Sequence, residues 1–236
     1  MNKLNLMKYL FLILSVQFFY AQEDSKIAEI LSKSNEQYQK KESLAVSLSY
    51  KLYSTYSSNF VTESYEGITV NSNKDNYIRI HNTEFINTSK LALKINHDQK
   101  LVLLIPSSSV PQNSPLNVED YIKYFKTKKL QSIGNEWIIE FQTSTLTQLP
   151  YGKVKIYIEK GTYKIKKQVL YLLEKVPYKE KGVEKTNTPR LEIVFSEKKL
   201  SEAEVKSLFN IDNIVLKEGE SYKLARKYID YKLLIN

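Results

Sequence analysis

The sequence predicts a mainly β protein of the α+β class, in which an antiparallel sheet is covered by helices. Three observations predict it. From Ser43 to Ile105 apolar residues recur at every second position through short runs separated by polar turns, the period of strands with one buried face. The same alternation returns between Glu136 and Ser196. Helical spacing marks three short stretches, at 24–41, 118–126 and 201–209. A sheet with an oily face must bury it against a helix, a second sheet or a ligand, so the functional question is which of these covers it.

The chain begins with Lys3 and Lys8 ahead of an apolar stretch from Tyr9 to Tyr20, the pattern of a secretory signal peptide over residues 1–21 with cleavage after Ala21. That stretch is shorter than the ~20 residues that span a bilayer, and no second apolar run of that length follows. The expectation is export, with the periplasm as destination in a Gram-negative cell and no transmembrane segment in the mature chain. Residues 22–236 are expected to form one domain.

Asp24 to Lys41 reads as a helix lying on the sheet, because Ile27, Ile30, Leu31, Ser34 and Tyr38 fall at spacings of three and four and Asp24 or Ser25 can cap it. In the first strand, Leu44 to Tyr56, one face carries Leu44, Val46, Leu48, Tyr50 and Leu52, and the other Ala45, Ser47, Ser49, Lys51 and Tyr53. Phe60 to Val70 follows, with Gly67 marking a bulge or a close backbone approach. After a polar turn at Asn71 to Asn76 come strands at Tyr77–His81, Glu84–Asn87, Leu91–Asn96 and Lys100–Ile105, the last two joined by a tight turn at His97, Asp98 and Gln99.

The segment PSSSVPQNSP, 106–115, cannot continue a ladder and reads as a surface loop. Asn117 then caps a short helix placing Val118, Tyr121, Ile122 and Phe125 on one side. Strands resume at Glu136–Thr143, Lys153–Glu159, Tyr163–Glu174 and Arg190–Ser196, with Gly161 in a hairpin turn. Trp137, Ile139 and Phe141 share a face, as do Val154, Ile156 and Ile158, and Leu191, Ile193 and Phe195. Pro177 to Pro189 is a charged excursion. Ser201 and Glu204 form a capping box for a helix ending at Phe209, and Tyr222 to Ile235 closes the chain as a helix or, by the pattern YIDYKLLI, a strand.

The residues that carry chemistry are few. Cysteine is absent, and the two histidines, His81 and His97, form no i, i+4 pair; a metal site would have to join His81, Glu84 and His97 through the folded meander. The six glycines are scattered, with no phosphate-binding spacing. No enzyme activity, cofactor or metal is expected. The net charge of +9 becomes +7 for residues 22–236, from 33 basic and 26 acidic residues. Only Arg79, Arg190 and Arg226 are arginines, which argues against nucleic acid. A lysine-rich surface is either simply solvated or drawn to anionic lipid or an acidic protein. The 18 tyrosines suit a sheet face bordering water, a ligand or a partner. The apolar lining expected for such a ligand is Leu44, Val46, Leu48, Tyr50, Leu52, Tyr65, Tyr77, Trp137, Ile139 and Phe141. These faces follow from alternation, so a one-residue slip in register flips them.

The order of elements also resembles a known family. A signal peptide, a helix ending near Tyr38, a Leu/Val/Tyr strand, ESYEGITV, NYIRI and LALKINHDQKLVLLIP are similar to the amino-terminal half of the LolA-like periplasmic carriers of outer-membrane lipoproteins, over residues 24–105. The family's early-strand arginine has no counterpart from Leu44 to Tyr56. The resemblance implies a strongly curved antiparallel sheet, an incomplete β-barrel with helices across its concave face, and a gap that accepts acyl chains. The function expected is a non-enzymatic periplasmic carrier or binder of a lipid acyl chain or lipoprotein. The alternative is a soluble envelope interaction module of a secretion or assembly system, docking a protein partner and no small molecule.

Overall fold

A computed structural model of the protein describes residues 23–38, 43–73, 75–105, 118, 125, 127–143 and 149–235. Helix α1 covers 23–38. The meander follows as β1 (Ser43–Tyr53), β2 (Val61–Ser72), β3 (Asp75–Ile80), β4 (Thr83–Asn87), β5 (Ala92–Asn96) and β6 (Leu101–Ile105). The second group comprises β7 (Thr127–Ile133), β8 (Glu136–Gln142), β9 (Tyr151–Glu159), β10 (Ile165–Leu172), β11 (Val176–Glu180), β12 (Val183–Asn187) and β13 (Arg190–Lys198). The chain continues through α2 (Glu202–Leu208), β14 (Val215–Glu218), β15 (Ser221–Leu224) and β16 (Lys232–Ile235). No helix among the described residues is long and apolar enough to cross a membrane.

Twelve strands make one sheet in the order β16-β6-β5-β4-β3-β2-β1-β13-β10-β9-β8-β7. Every pairing is antiparallel except β16 on β6. The end strands β16 and β7 do not meet, so the sheet stays open. It is the mainly β, α+β architecture expected, a curved sheet with a helix on one face.

Register divides the sheet into two differently buried halves. Leu44, Val46, Leu48 and Tyr50 share a core with Ile27, Ile30 and Leu31 of α1 and with inward residues of β8, β9, β10 and β13, such as Ile139, Ile156 and Phe195. This is the α1 face. The second core lies on the other side, the back face, where Ile68, Val70, Tyr77, Ile86, Leu93, Ile95 and Val102 meet Ile214, Val215 and Tyr228 of the carboxy-terminal segment. Ala45, neighbour to Leu44, belongs to this second core. The sheet thus buries one face against α1 and, a few strands on, the opposite face against the chain's end.

Helix α1 runs across the strands. At its start the Leu130 N–H of β7 donates to Glu23 Oε1 at 2.6 Å, and Lys128 pairs with Asp24 at 3.3 Å. At its end the Ile165 N–H of β10 donates to Tyr38 Oη at 2.7 Å. Sixteen residues at a 1.5 Å rise span roughly 24 Å, enough to bridge strands spaced ~4.8 Å apart from β7 to β10.

Several expectations need correction. The charged excursion at 177–189 is instead a hairpin, β11 to β12, whose turn has φ values of 51° at Lys181 and 82° at Gly182, the left-handed pair that matches strand twist. Strand β7 is missing from the sequence reading because TKKLQSI is an edge strand with lysines and little apolar periodicity. The polar turn at Asn71 to Asn76 is shorter than expected, since strand pairing runs through Ser72 and Asp75. The last segment is divided into β15, a 3-10 turn at Arg226–Tyr228 and β16, and the β14–β15 hairpin was not foreseen. The capping box on α2 forms as expected, with Ser201 Oγ accepting from the Glu204 N–H. The proline loop and the helix expected after Asn117 lie outside the described residues, apart from Val118 and Phe125, which are buried in the α1-face core.

The tyrosines also find an explanation. Among the described residues no helix packs on the back face of β9, β10 and β13, yet Ile138 and Val169 are buried. Lys167 stacks on Tyr157 at 4.4 Å and Lys153 on Tyr171 at 4.0 Å. Long amphipathic side chains laid flat roof the apolar positions beneath them.

Candidate ligand-binding face

The α1 face is sealed at one end and open at the other. Leu44, Val46, Leu48, Tyr50, Ile139 and Phe141 are buried against α1, whereas Leu52, Tyr65 and Trp137 are half-buried at the margin. Trp137 lies between the ammonium groups of Lys26, 5.9 Å away, and Lys160, 4.8 Å away. Tyr77 does not join them: the pairing of Tyr77 with Val70 and Ile86 puts it on the back face, 3% exposed. The sequence carried the alternation of each strand but not the register between β1 and β3, which decides the face.

Burial makes several tyrosines reluctant to ionise, Tyr38, Tyr50 and Tyr77 among them. It pushes the Tyr38 and Tyr50 hydroxyls up to about 12, and it raises Tyr77 as well, with the neighbouring Glu84 carboxylate adding to the effect. A raised folded value means this contribution is intact below the unfolded value near 10 and is lost as pH rises towards 12. Alkaline titration followed by phenolate absorbance and circular dichroism should show these tyrosines ionising together with unfolding. Their smooth titration in a folded protein would contradict the burial.

Past β2 no helix of the described residues covers the α1 face. Cross-strand pairs define a row Val46, Thr69, Ile78, Phe85, Lys94, Leu103 and Leu234 running from β1 to β16. Val46 and Thr69 are buried; Ile78, Lys94 and Leu103 are half-buried, and Phe85 and Leu234 are each 39% exposed. The next row adds Ile80 and Leu101, also half-buried. From β3 to β16 the open stretch crosses four strand spacings, about 19 Å. The ~30 Å hydrocarbon core of a bilayer is two chains deep, so one acyl chain needs about 15 Å. These residues were absent from the expected lining, yet β6 carried the signal: LVLLI is apolar on both faces, as in a strand that needs cover on each side.

On the far side of Val46, at the end of α1, a cleft of about 250 Å³ has Tyr38, Val46, Ile165 and Phe195 as its apolar walls. The ion pair Lys164–Glu197, at 3.0 Å, crosses its rim. Two hydroxyls of the same core are buried with no hydrogen-bond partner among the described residues: Ser34 Oγ, one helical turn before Tyr38, and Thr69 Oγ1, across the strand pair from Val46.

Of the residues considered for a metal, Glu84 and His97 meet and His81 stands apart. His97 Nε2 meets Glu84 Oε1 at 2.6 Å, Tyr77 Oη donates to Glu84 Oε2 at 2.9 Å, and His97 Nδ1 lies 2.9 Å from Tyr231 Oη. His81 is exposed, with its ring tilted against that of Tyr65 at a centroid distance of 5.0 Å. Among the described residues no three His, Cys, Asp or Glu side chains converge as metal ligands. The network ties the β5–β6 turn to the carboxy-terminal segment on the back face.

No family model matches the chain, and no curated protein matches it. Solved structures do. An uncharacterized conserved protein from Thermus thermophilus superposes with a TM-score of 0.45 at 10% identity, over 89% of this chain and 99% of that one. A LolA superfamily protein from Nitrosomonas europaea gives 0.35 at 11% identity, over 79% and 98%. The lipoprotein LppX from Mycobacterium tuberculosis gives 0.37 at 8%, over 76% and 98%.

Proposed function

We propose that the protein is a non-enzymatic carrier or binder of an apolar chain, a lipid acyl chain or the lipid of a lipoprotein, working in the cell envelope after export by the signal peptide at residues 1–21. The observation that carries this reading is the open half of the α1 face, where Ile78, Ile80, Phe85, Leu101, Leu103 and Leu234 form an apolar strip still partly exposed to solvent. Its length suits one acyl chain, and burial of each methylene contributes ~0.8 kcal/mol. The residues of the expected lining that pack under α1 would form the floor on which the chain abuts, with Tyr65 and Leu52 at its margin. Native mass spectrometry of protein recovered from its own envelope is expected to show a bound lipid mass. Recovery of an empty protein that also fails to bind an environment-sensitive apolar dye would overturn the reading.

A second reading, an envelope interaction module, has one observation of its own. At one end of the sheet Tyr56, Phe60, Leu173 and Val183 are exposed, and Phe60 packs on Tyr178 of the β11–β12 hairpin at 6.2 Å. Crosslinking from a photoreactive residue at Val183 should capture a reproducible envelope protein if that end docks a partner.

A further inference from the structure

Between β3 and β16 the described side chains on the α1 face carry charge of one sign. Taking the strand pairs in turn, its side chains are Asn76, Ile78 and Ile80 on β3, Thr83, Phe85 and Asn87 on β4, and Ala92, Lys94 and Asn96 on β5. Leu101, Leu103 and Ile105 on β6 and Lys232 and Leu234 on β16 complete it. Two are cations, and none is a carboxylate. Lys94 stands in the middle of the apolar strip, half-buried, with its Nζ 5.6 Å from the Phe85 ring centroid, and it pairs with no carboxylate of the described residues. The contrast with the back face is direct: there Arg79 sits opposite Glu84 across the β3–β4 pair.

An ammonium on an apolar surface is costly once that surface is covered, because a ligand laid over the strip strips its water. A neutral chain would worsen the position of Lys94; a chain ending in an anion would resolve it. The ring of Phe85 already holds the cation over the strip, and a cation–π contact leaves the ammonium's other donors free.

We propose that the ligand of this face is a single-chain amphiphile with an anionic head, of the long-chain carboxylate class, whose head pairs with Lys94 while its hydrocarbon lies along Ile78, Ile80, Phe85 and Leu103. This rests on the reading of the open strip as a ligand-binding surface and adds the charge of what binds there. Lys232, on the next row at the sheet edge, supplies a second positive charge that favours the same sign of ligand.

The test uses a fluorescent fatty acid, 11-(dansylamino)undecanoic acid, and its methyl ester, which differ in the charge of the head alone. Wild-type protein should bind the acid about tenfold more tightly than the ester, as for an ion pair intermediate between exposed and buried. Lys94→Gln should reduce affinity for the acid to that for the ester and leave the ester unchanged, and Lys94→Arg should keep the preference. Denaturant unfolding of Lys94→Gln, expected to match wild type, separates binding from folding. Equal binding of acid and ester by wild type, or equal weakening of both by Lys94→Gln, overturns the anionic assignment while leaving an apolar-chain site in place. Binding of neither probe overturns that reading too.

Discussion

Replacing Arg190 with alanine is expected to lower the unfolding free energy by about 3–4 kcal/mol, because it removes a buried cation that several groups depend on. Arg190 is 8% exposed at the start of β13. Its Nη1 donates to the carbonyls of Thr55 at 3.1 Å, Tyr56 at 3.2 Å and Ser58 at 2.6 Å, which fixes the β1–β2 loop. Its Nε donates to Glu192 Oε1 at 3.0 Å, and its guanidinium lies 4.0 Å from the Tyr53 ring centroid. Alanine would leave three carbonyls and a half-buried carboxylate without their donor. Lysine, which lacks the planar fork, should recover little. Urea denaturation measures the loss, and hydrogen exchange should show the amides of 54–60 opening first. Near-wild-type stability of Arg190→Ala would mean that the loop holds without the anchor.

The second large effect is expected at Gly67. A Cβ there would lie 2.7 Å from the Arg79 carbonyl oxygen of β3 and 3.1 Å from Tyr50 Cε2. The first neighbour is backbone of the paired strand and cannot rotate away. The second is a ring buried over the glycine in the α1-face core. Gly67→Val is therefore expected to cost about 3 kcal/mol, at the upper end of overpacking effects, and to loosen the β2–β3 pair. Gly67→Ala combined with Tyr50→Leu should recover part of the loss, since the ring clash is relieved and the backbone clash is not. Recovery of none would place the whole effect on the β3 side.

Alternation made most of the fold legible. It assigned both faces of β1, the shared faces of β8, β9 and β13, and the helix carrying Ile27, Ile30, Leu31 and Tyr38. It also marked Gly67 as a point of close approach, although the bulge itself falls at Leu52 and Tyr53. What alternation lacks is which face each half of the sheet buries. Val46 and Val70 are both fully apolar strand residues, yet one packs under α1 and the other under the carboxy-terminal segment. That choice is made by where α1 and residues 200–235 dock, which is a tertiary matter. The candidate site follows the same rule: alternation groups Tyr77 with Tyr50 and Tyr65, whereas register sends Tyr77 to the back face and brings Phe85, Lys94 and Leu103 to the α1 face.

The two halves of the sheet bury opposite faces, and on the proposed reading this leaves the α1 face of β3–β16 for an apolar chain. Methyl NMR with a spin-labelled fatty acid tests it directly, because a paramagnetic label broadens nearby methyl signals. Broadening is expected at Ile78, Ile80, Leu103 and Leu234, with Leu93, Ile95 and Val102 of the same sheet half spared because they point into the back-face core. Broadening of Leu93 and Ile95 with Ile78 and Leu103 left sharp would contradict it.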